Sequence, residues 1–162
     1  MLRELATSVS LLSVGSLFGA TLYDAIVLAP NLRGGPKTLE HGRLFLTRSN
    51  PGNLFRTLAP LSQVLLLLAI VVDWSRPGSR WPLIGSLVAL AITDVITFTY
   101  HYPRNRLFFT APLDVPPDRL DKAAREWAAM NFVRVALVLG AWLGAWWALL
   151  NLAGEGHLWP IA

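Results

Sequence analysis

The chain contains no cysteine. That excludes a disulfide framework, a thiolate nucleophile and cysteine-ligated zinc. Charge is also scarce. Asp, Glu, Lys and Arg make up 15% of the 162 residues, against about 25% in a soluble globular domain. A soluble enzyme of this size would show its charge on the outside, so that class is excluded first. Negative charge is the scarcer sign, with 10 acidic against 14 basic residues, and histidine occurs three times. What the chain has instead is apolar: 54% hydrophobic residues, seven of them Trp, and a mean hydropathy of +0.47. This is the reverse of a disordered composition. A net charge of +4 in so apolar a chain points to basic loops against a membrane surface and away from nucleic acid.

A bilayer-spanning helix needs about 20 mostly apolar residues. Four segments qualify, at roughly residues 5–29, 58–74, 81–100 and 132–152. Arg3 ahead of the first apolar run resembles a signal peptide, but the run is too long and ends in Tyr23-Asp24 with no small-residue cleavage site, so it reads as a retained span. The segment from Pro30 to Pro36 is expected to stop the first span, and Ser75-Arg76-Pro77-Gly78 the second. Pro103 is expected to bias Tyr102 away from helical geometry. Pro116-Pro117 suits a helix start, giving a polar helical lead-in over 117–131 that runs into the fourth span. With no internal repeat, residues 1–162 read as one all-α domain: a four-helix transmembrane bundle with two long loops on one membrane side.

Arg3, Arg76 and Arg80 fall on the side of the termini. Arg33, Lys37, Arg43, Arg48 and Arg56 fall in the first loop, and Arg104, Arg106, Arg119, Lys122 and Arg125 in the third. The positive-inside bias places both long loops in the cytoplasm, and the Leu-, Ala-, Arg- and Trp-rich composition suits a bacterial inner membrane.

Ionisable groups in or beside spans cost several kcal/mol unless paired, so each is a functional candidate. Here these are Asp24, Asp94, His101 and Arg134, with Tyr23, Tyr100, Trp127 and Asn131 beside them. Asp94 lies seven residues before His101, on one helical face and about 10 Å deeper. Trp127, Asn131 and Arg134, spaced i, i+4, i+7, form one stripe. Three helices thus direct polar side chains at the membrane edge capped by the long loops, as a site with a lid would require. Taken singly, each has a plainer reading. Asp94 and Arg134 would serve as a structural ion pair, Arg134 as a snorkelling cation, and Tyr23 and Trp127 as interfacial anchors. Trp142, Trp146 and Trp147 read as packing residues, and the serines at 8, 10, 13 and 16 with Gly15 and Gly19 as small-residue helix packing, a face that would also suit a homodimer. Two His and a carboxylate would suit non-haem iron. His41 and His101 with Asp24 or Glu40 are the available set, His157 falling on the opposite side, but they lack a local ligand spacing.

The stretch Pro103-Arg104-Asn105-Arg106-Leu107, followed about twenty residues later by Trp127-Ala-Ala-Met-Asn131-Phe-Val-Arg134, resembles the anthrone oxygenase-like family of small four-span membrane proteins. A Pro-x-Asn-x-Leu element after span three and a Trp-x3-Asn-x2-Arg element opening span four carry the resemblance, with a looser likeness over 23–31. It implies a monooxygenase that oxidises an anthrone to an anthraquinone with molecular oxygen and without metal, flavin or haem. It makes Asn105, Trp127, Asn131 and Arg134 the motif residues. For that chemistry His101 is the natural base near neutral pH, with Asp24 the second choice. Arg134 with Asn131 or Asn105 would hold the developing oxyanion, and Trp127, Tyr23 and Tyr100 would stack on a flat substrate beside Asp94. The expected partners are a small apolar substrate, oxygen and membrane lipid. The competing readings are a non-catalytic protein binding a lipid or partner subunit, a metal enzyme built on His41 and His101, and a transporter, for which four spans without a broken helix pair offer little lining.

Overall fold

The computed structural model describes residues 1–33, 35–110 and 115–156. His157 therefore lies outside the described residues. Within them the chain is all-α, with five helices: α1 (Leu2–Asn31), α2 (Pro36–Phe45), α3 (Pro51–Val72), α4 (Pro77–Phe109) and α5 (Pro117–Gly156). All but α2 are long and apolar enough to cross a bilayer, and their outward faces expose apolar side chains such as Leu12, Leu68, Val71, Val95 and Leu143. The chain is an integral membrane protein. The four long helices run up and down in a closed ring, α1 against α3 and α5, and α4 against the same two, with the α3–α4 contact the least extensive.

One half of the ring is dry and dense. Leu11, Val14 and Leu17 of α1 meet Leu66, Ala69 and Ile70 of α3, Leu83 and Leu90 of α4, and Val138, Ala141, Ala145 and Ala148 of α5. Lipid tails are as apolar as leucine, so close backbone approach and buried hydroxyls must supply the cohesion here. Ser13 and Ser62 share a hydrogen bond of 2.8 Å, Ser10 donates to the Leu65 carbonyl at 2.8 Å, and Ser86 donates to the Ala141 carbonyl at 2.7 Å. Ser16 and Gly19, by contrast, are exposed on the outer face of α1. At the outer end of this half, Arg3 donates to the Val72 carbonyl and to Ser75. Thr7 donates to the buried Asp73 at 3.1 Å, which ties the start of α1 to the α3–α4 turn. Arg80 donates to the Trp74 carbonyl. Arg3 and Arg80 thus do structural work besides carrying charge.

The opposite end is built differently. The α1–α3 connection carries α2, whose Leu39 packs with Ala29, Leu32, Phe108, Leu120, Ala124 and Trp127 in a second apolar cluster. Arg43 fastens it to the end of α4, donating to the Phe108 carbonyl at 2.7 Å and the Leu107 carbonyl at 3.2 Å.

The first helix ends at Asn31, inside the segment 30–36 expected to stop it, although it takes in Pro30. One expectation fails: Pro103 does not turn Tyr102 out of helical geometry, since Tyr102 sits at φ −59°, ψ −45°. A π-helical turn lies just upstream of each proline, over Asp24–Leu28 and over Thr97–His101. There the Ala29 N–H bonds the Asp24 carbonyl, and the Tyr102 N–H bonds the Thr97 carbonyl, five residues back. The widened turn makes room for a ring that would press on the carbonyl four residues earlier and has no N–H to offer it. Because α4 continues to Phe109 and α5 starts at Pro117, the second of the two expected loops is short and most of its residues are helical.

Candidate active site

Between the dense half and the α2 end lies a cavity of about 980 Å³, at the upper end of the range for small-molecule sites. All four long helices line it: α1 through Leu17, Thr21, Asp24 and Leu28, α3 through Phe55, Ala59, Pro60 and Gln63, α4 through Leu90, Thr93, Asp94, Phe98, His101 and Asn105, and α5 through Trp127, Arg134 and Val138. Its walls are mostly apolar, with a few converging polar groups, the composition expected of a binding site.

The two π turns place two of those groups. Asp24 opens one and His101 closes the other, and both side chains are buried in the cavity wall. One extra residue in a turn shifts everything downstream by about 100° around the helix axis. The insertions therefore decide which side chains face inward, and π turns recur at functional sites for that reason.

The polar groups divide into those already engaged and those left free. The Trp127 indole N–H donates to Asn105 Oδ1 at 2.9 Å, and the His101 ring stands edge-on to the Trp127 ring, centroids 5.1 Å apart. Arg134 donates to Asn131 Oδ1 at 3.1 Å, and its guanidinium lies 5.5 Å from the centre of the Phe55 ring. Gln63 donates to Asp94 Oδ2 at 2.5 Å. Against these, Asp24 Oδ1, both ring nitrogens of His101, Asn131 Nδ2 and Arg134 Nε are buried with no hydrogen-bond partner among the described residues. Their residues are 4%, 1%, 0% and 6% exposed. A buried polar atom left unpaired costs roughly 1–3 kcal/mol. The four on Asp24, His101 and Arg134 belong to residues that line the cavity, are costly to the free protein and mark where a polar ligand would be taken up.

Arg134 interacts electrostatically with Asp24 and Asp94, but among the described residues it forms no ion pair with either. A structural Asp94–Arg134 pair is therefore not what holds α4 to α5, and Asp94 takes Gln63 instead. The other residues singled out from sequence fall as follows. Asn131 is fully buried and does not line the cavity; it reaches the cavity through Arg134. Tyr100 donates to the Glu126 carbonyl at 3.2 Å beneath the Arg104 guanidinium, 3.6 Å from its ring centre. Arg104 also pairs with Glu126 at 2.9 Å, so Tyr100 belongs to an α4–α5 clamp outside the cavity lining. Tyr23 points outward, 58% exposed, and is also absent from the lining. His41 is exposed on α2, with its Nδ1 bonded to the Lys37 carbonyl, and no group of three or more His, Asp or Glu side chains with metal-holding geometry occurs among the described residues.

Gln63, Phe55 and the roof residue Arg43 are cavity residues that sequence reasoning passed over. Gln63 had a readable signal, as a lone amide within the apolar run of the second span. Phe55 and Arg43 had none.

The anthrone oxygenase family profile matches residues 45–144, more than half the chain. The chain belongs to the anthrone oxygenase family. The match takes in Asp94, His101, Asn105, Trp127, Asn131 and Arg134, while Asp24 lies before it. Searches of curated proteins and of solved structures returned no match. For this family member, the matched segment supplies α3, α4 and most of α5, hence three of the four cavity walls.

Proposed function

We propose that this membrane protein is an oxygenase that converts an apolar, anthrone-like polycyclic substrate to the quinone with molecular oxygen, using no cofactor of its own. The observation that carries the reading is the set of unpaired buried polar atoms on Asp24, His101 and Arg134 inside a large apolar cavity of an anthrone oxygenase family member.

The chemistry suits these residues. An anthrone carries a methylene between two aryl rings, and removing one of its protons gives an electron-rich anthranolate. That anion passes one electron to oxygen, and the substrate radical and superoxide combine to a carbon-bound peroxide. Loss of the second methylene proton with cleavage of the O–O bond leaves the new carbonyl and one water, so one oxygen molecule is consumed per substrate. The protein must supply a base, a stabiliser for the oxyanion and a dry pocket. His101, with both nitrogens free and its ring held against Trp127, is the base, and Asp24 is the second acceptor. Arg134, oriented by Asn131, and the free amide of Asn105 hold the oxyanion and the reduced oxygen. Trp127 and Phe55 form flat walls, which would pack on a fused-ring substrate. We place the α2 end on the cytoplasmic side of a bacterial inner membrane, on the charge bias of its connections.

The decisive measurement is oxygen uptake by the detergent-purified protein with anthrone, corrected for spontaneous oxidation and repeated with chelator. The expected result is chelator-resistant uptake that His101→Ala abolishes. Uptake that never exceeds background from a folded sample overturns the reading in favour of a lipid- or partner-binding role. Activity within about threefold of wild type in His101→Ala removes His101 as the base, because general bases contribute about 10²–10⁴-fold.

A further inference from the structure

We propose that the cavity opens sideways into the bilayer, between α3 and α4, and that its occupant is a planar apolar compound dissolved in the acyl-chain region. This rests on the reading above only for the chemistry of the occupant; the route follows from the walls themselves.

The dense core lies below the cavity, and α1 and α5, none of whose lining residues is exposed, pack against each other behind it. The α1–α3 connection lies over it, held by the two bonds from Arg43 to α4. The exposed residues of the lining all lie on α3, on α4 or in the segments that adjoin them: Pro60, Phe98 and Tyr102 at greater depth, and Thr47, Asn50, Arg56, Arg106 and Thr110 nearer the helix ends. The opening therefore lies between α3 and α4, with Pro60 and Phe98 at its deep end and Arg56 and Arg106 towards its shallow end. The Gln63–Asp94 bond crosses from α3 to α4 one turn below Pro60 and Phe98 and forms the sill.

The depth of this rim decides what it faces. The 22 residues of α3 span about 33 Å, close to the thickness of the hydrocarbon core. Pro60 and Phe98 lie within the apolar runs 58–74 and 81–100, so the deep end of the opening meets acyl chains, while Arg56 and Arg106 set its shallow end among headgroups. Both rims are also the irregular parts of their helices. Pro60 leaves the Arg56 carbonyl without its usual helical partner, and the α4 rim is the π turn Thr97–His101 with the Phe98–Tyr102 edge contact at 5.1 Å. Irregular backbone at membrane depth is tolerated where it lines a cavity, and these segments bend more readily than regular helix. The least extensive helix contact of the ring, its two irregular segments and the exposed side chains of the cavity lining coincide.

The absence of cysteine makes the test clean. A Thr93→Cys variant in phosphatidylcholine–phosphatidylglycerol vesicles carries one thiol, on a buried residue of the cavity wall. Its labelling by membrane-dissolved N-(1-pyrenyl)maleimide is compared with labelling by a charged, water-soluble methanethiosulfonate, each normalised to Ser16→Cys on the exposed face of α1 and to free cysteine. The expected result is labelling by the pyrene reagent at least about tenfold faster than by the charged one, and slowing of the pyrene reaction by at least about tenfold when Ala59→Trp fills the rim, as closure of a gate requires. Thr97→Cys, also on the cavity wall, repeats the measurement if Thr93→Cys does not fold. Equal normalised rates, no labelling by either reagent, or an Ala59→Trp variant that labels as fast as its parent each overturn the proposal. Labelling reads entry without turnover. A protein that admits pyrene but consumes no oxygen refutes the oxygenase reading and leaves the portal standing, and the converse result refutes the portal alone.

Discussion

Adding one methyl group at Gly144 is expected to destabilise the bundle, while the same change one turn earlier at Gly140 is not. A Cβ at Gly144 would stand 2.5 Å from Ser86 Oγ and 3.0 Å from the Pro82 carbonyl oxygen, whereas one at Gly140 would meet nothing within 4 Å. Ser86 cannot step aside cheaply, because it is buried and its hydroxyl already bonds the Pro82 and Ala141 carbonyls at 2.9 and 2.7 Å. The change must therefore push α4 from α5 or break the interhelical bond. Overpacking of this kind costs about 1–3 kcal/mol, and an interhelical bond in a bilayer is worth about 0.6 kcal/mol. The gain in helix propensity, about 1 kcal/mol, is common to both alanine variants and cancels between them. Gly144→Ala should thus be about 1–3 kcal/mol less stable than Gly140→Ala, seen as a lower detergent unfolding midpoint by about 2–4 °C for each kcal/mol. Adding Ser86→Ala should recover part of the loss by removing the nearer obstacle. A Gly144→Ala protein as stable as Gly140→Ala would refute the close α4–α5 approach. It would also remove the reason for thinking that α4, which carries His101, and α5, which carries Arg134, are held at fixed spacing.

Asn131→Ala should lower anthrone oxidation about tenfold or more while leaving substrate affinity nearly unchanged, since it takes away the group that orients Arg134 and not a cavity wall; steady-state kinetics of oxygen uptake checks the split. Trp127→Phe keeps the ring beside His101 but leaves Asn105 Oδ1 without its donor, so a stability loss of about 1 kcal/mol is expected from unfolding midpoints. Arg43→Ala releases the connection from the Leu107 and Phe108 carbonyls, and limited proteolysis over residues 46–50 should become markedly faster than in wild type. Asp73, just beyond the end of α3, has its carboxyl pushed above the usual carboxylate range, chiefly by burial and against the pull of Thr7, Arg3, Ser79 and Arg76. Because the folded state holds the proton more tightly than the unfolded one, this group's contribution to stability is full at low pH and is lost as pH rises through its folded value. Asp73→Asn should therefore flatten the fall in stability on going from acid to neutral pH, measured as unfolding midpoints across that interval.

The helical fold was legible because its signal is long-range and redundant. Four runs of apolar residues near membrane length leave few other architectures, and the joint placement of Asp24, His101, Trp127, Asn131 and Arg134 at one end of three spans located the polar centre. What was not legible depended on single turns. Proline is read from sequence as a stop because it lacks an N–H and crowds the preceding turn. Pro30 and Pro103 instead each follow a π turn that absorbs the crowding, and no composition or period announces a π turn. Tyr23 illustrates the consequence. It is adjacent to Asp24, yet the two diverge completely, Tyr23 facing outward and Asp24 into the cavity wall. Residues next to each other on a helix lie about 100° apart, so a cluster that is close in sequence does not share a face.

The two halves of the bundle make physical sense only together. A cavity of about 980 Å³ forfeits packing contacts on every wall, and the unpaired atoms of Asp24, His101 and Arg134 add a desolvation cost. Such an end could not hold its helices in place alone. The opposite half supplies what it lacks, through the Ser13–Ser62, Ser10–Leu65 and Ser86–Ala141 bonds and the alanine face of α5 against Leu83 and Leu90. Fixing the helices at that end lets the other end stay open and partly unsatisfied without collapsing. A substrate that fills the cavity and bonds those atoms should then stabilise the protein by much more than its contact area suggests, because it relieves a cost already present in the free state. Anthrone added to the wild-type protein in the absence of oxygen, so that no turnover occurs and the unpaired atoms are all present, should raise its unfolding midpoint. A midpoint unchanged up to the solubility limit of anthrone would mean that the cavity does not take it up.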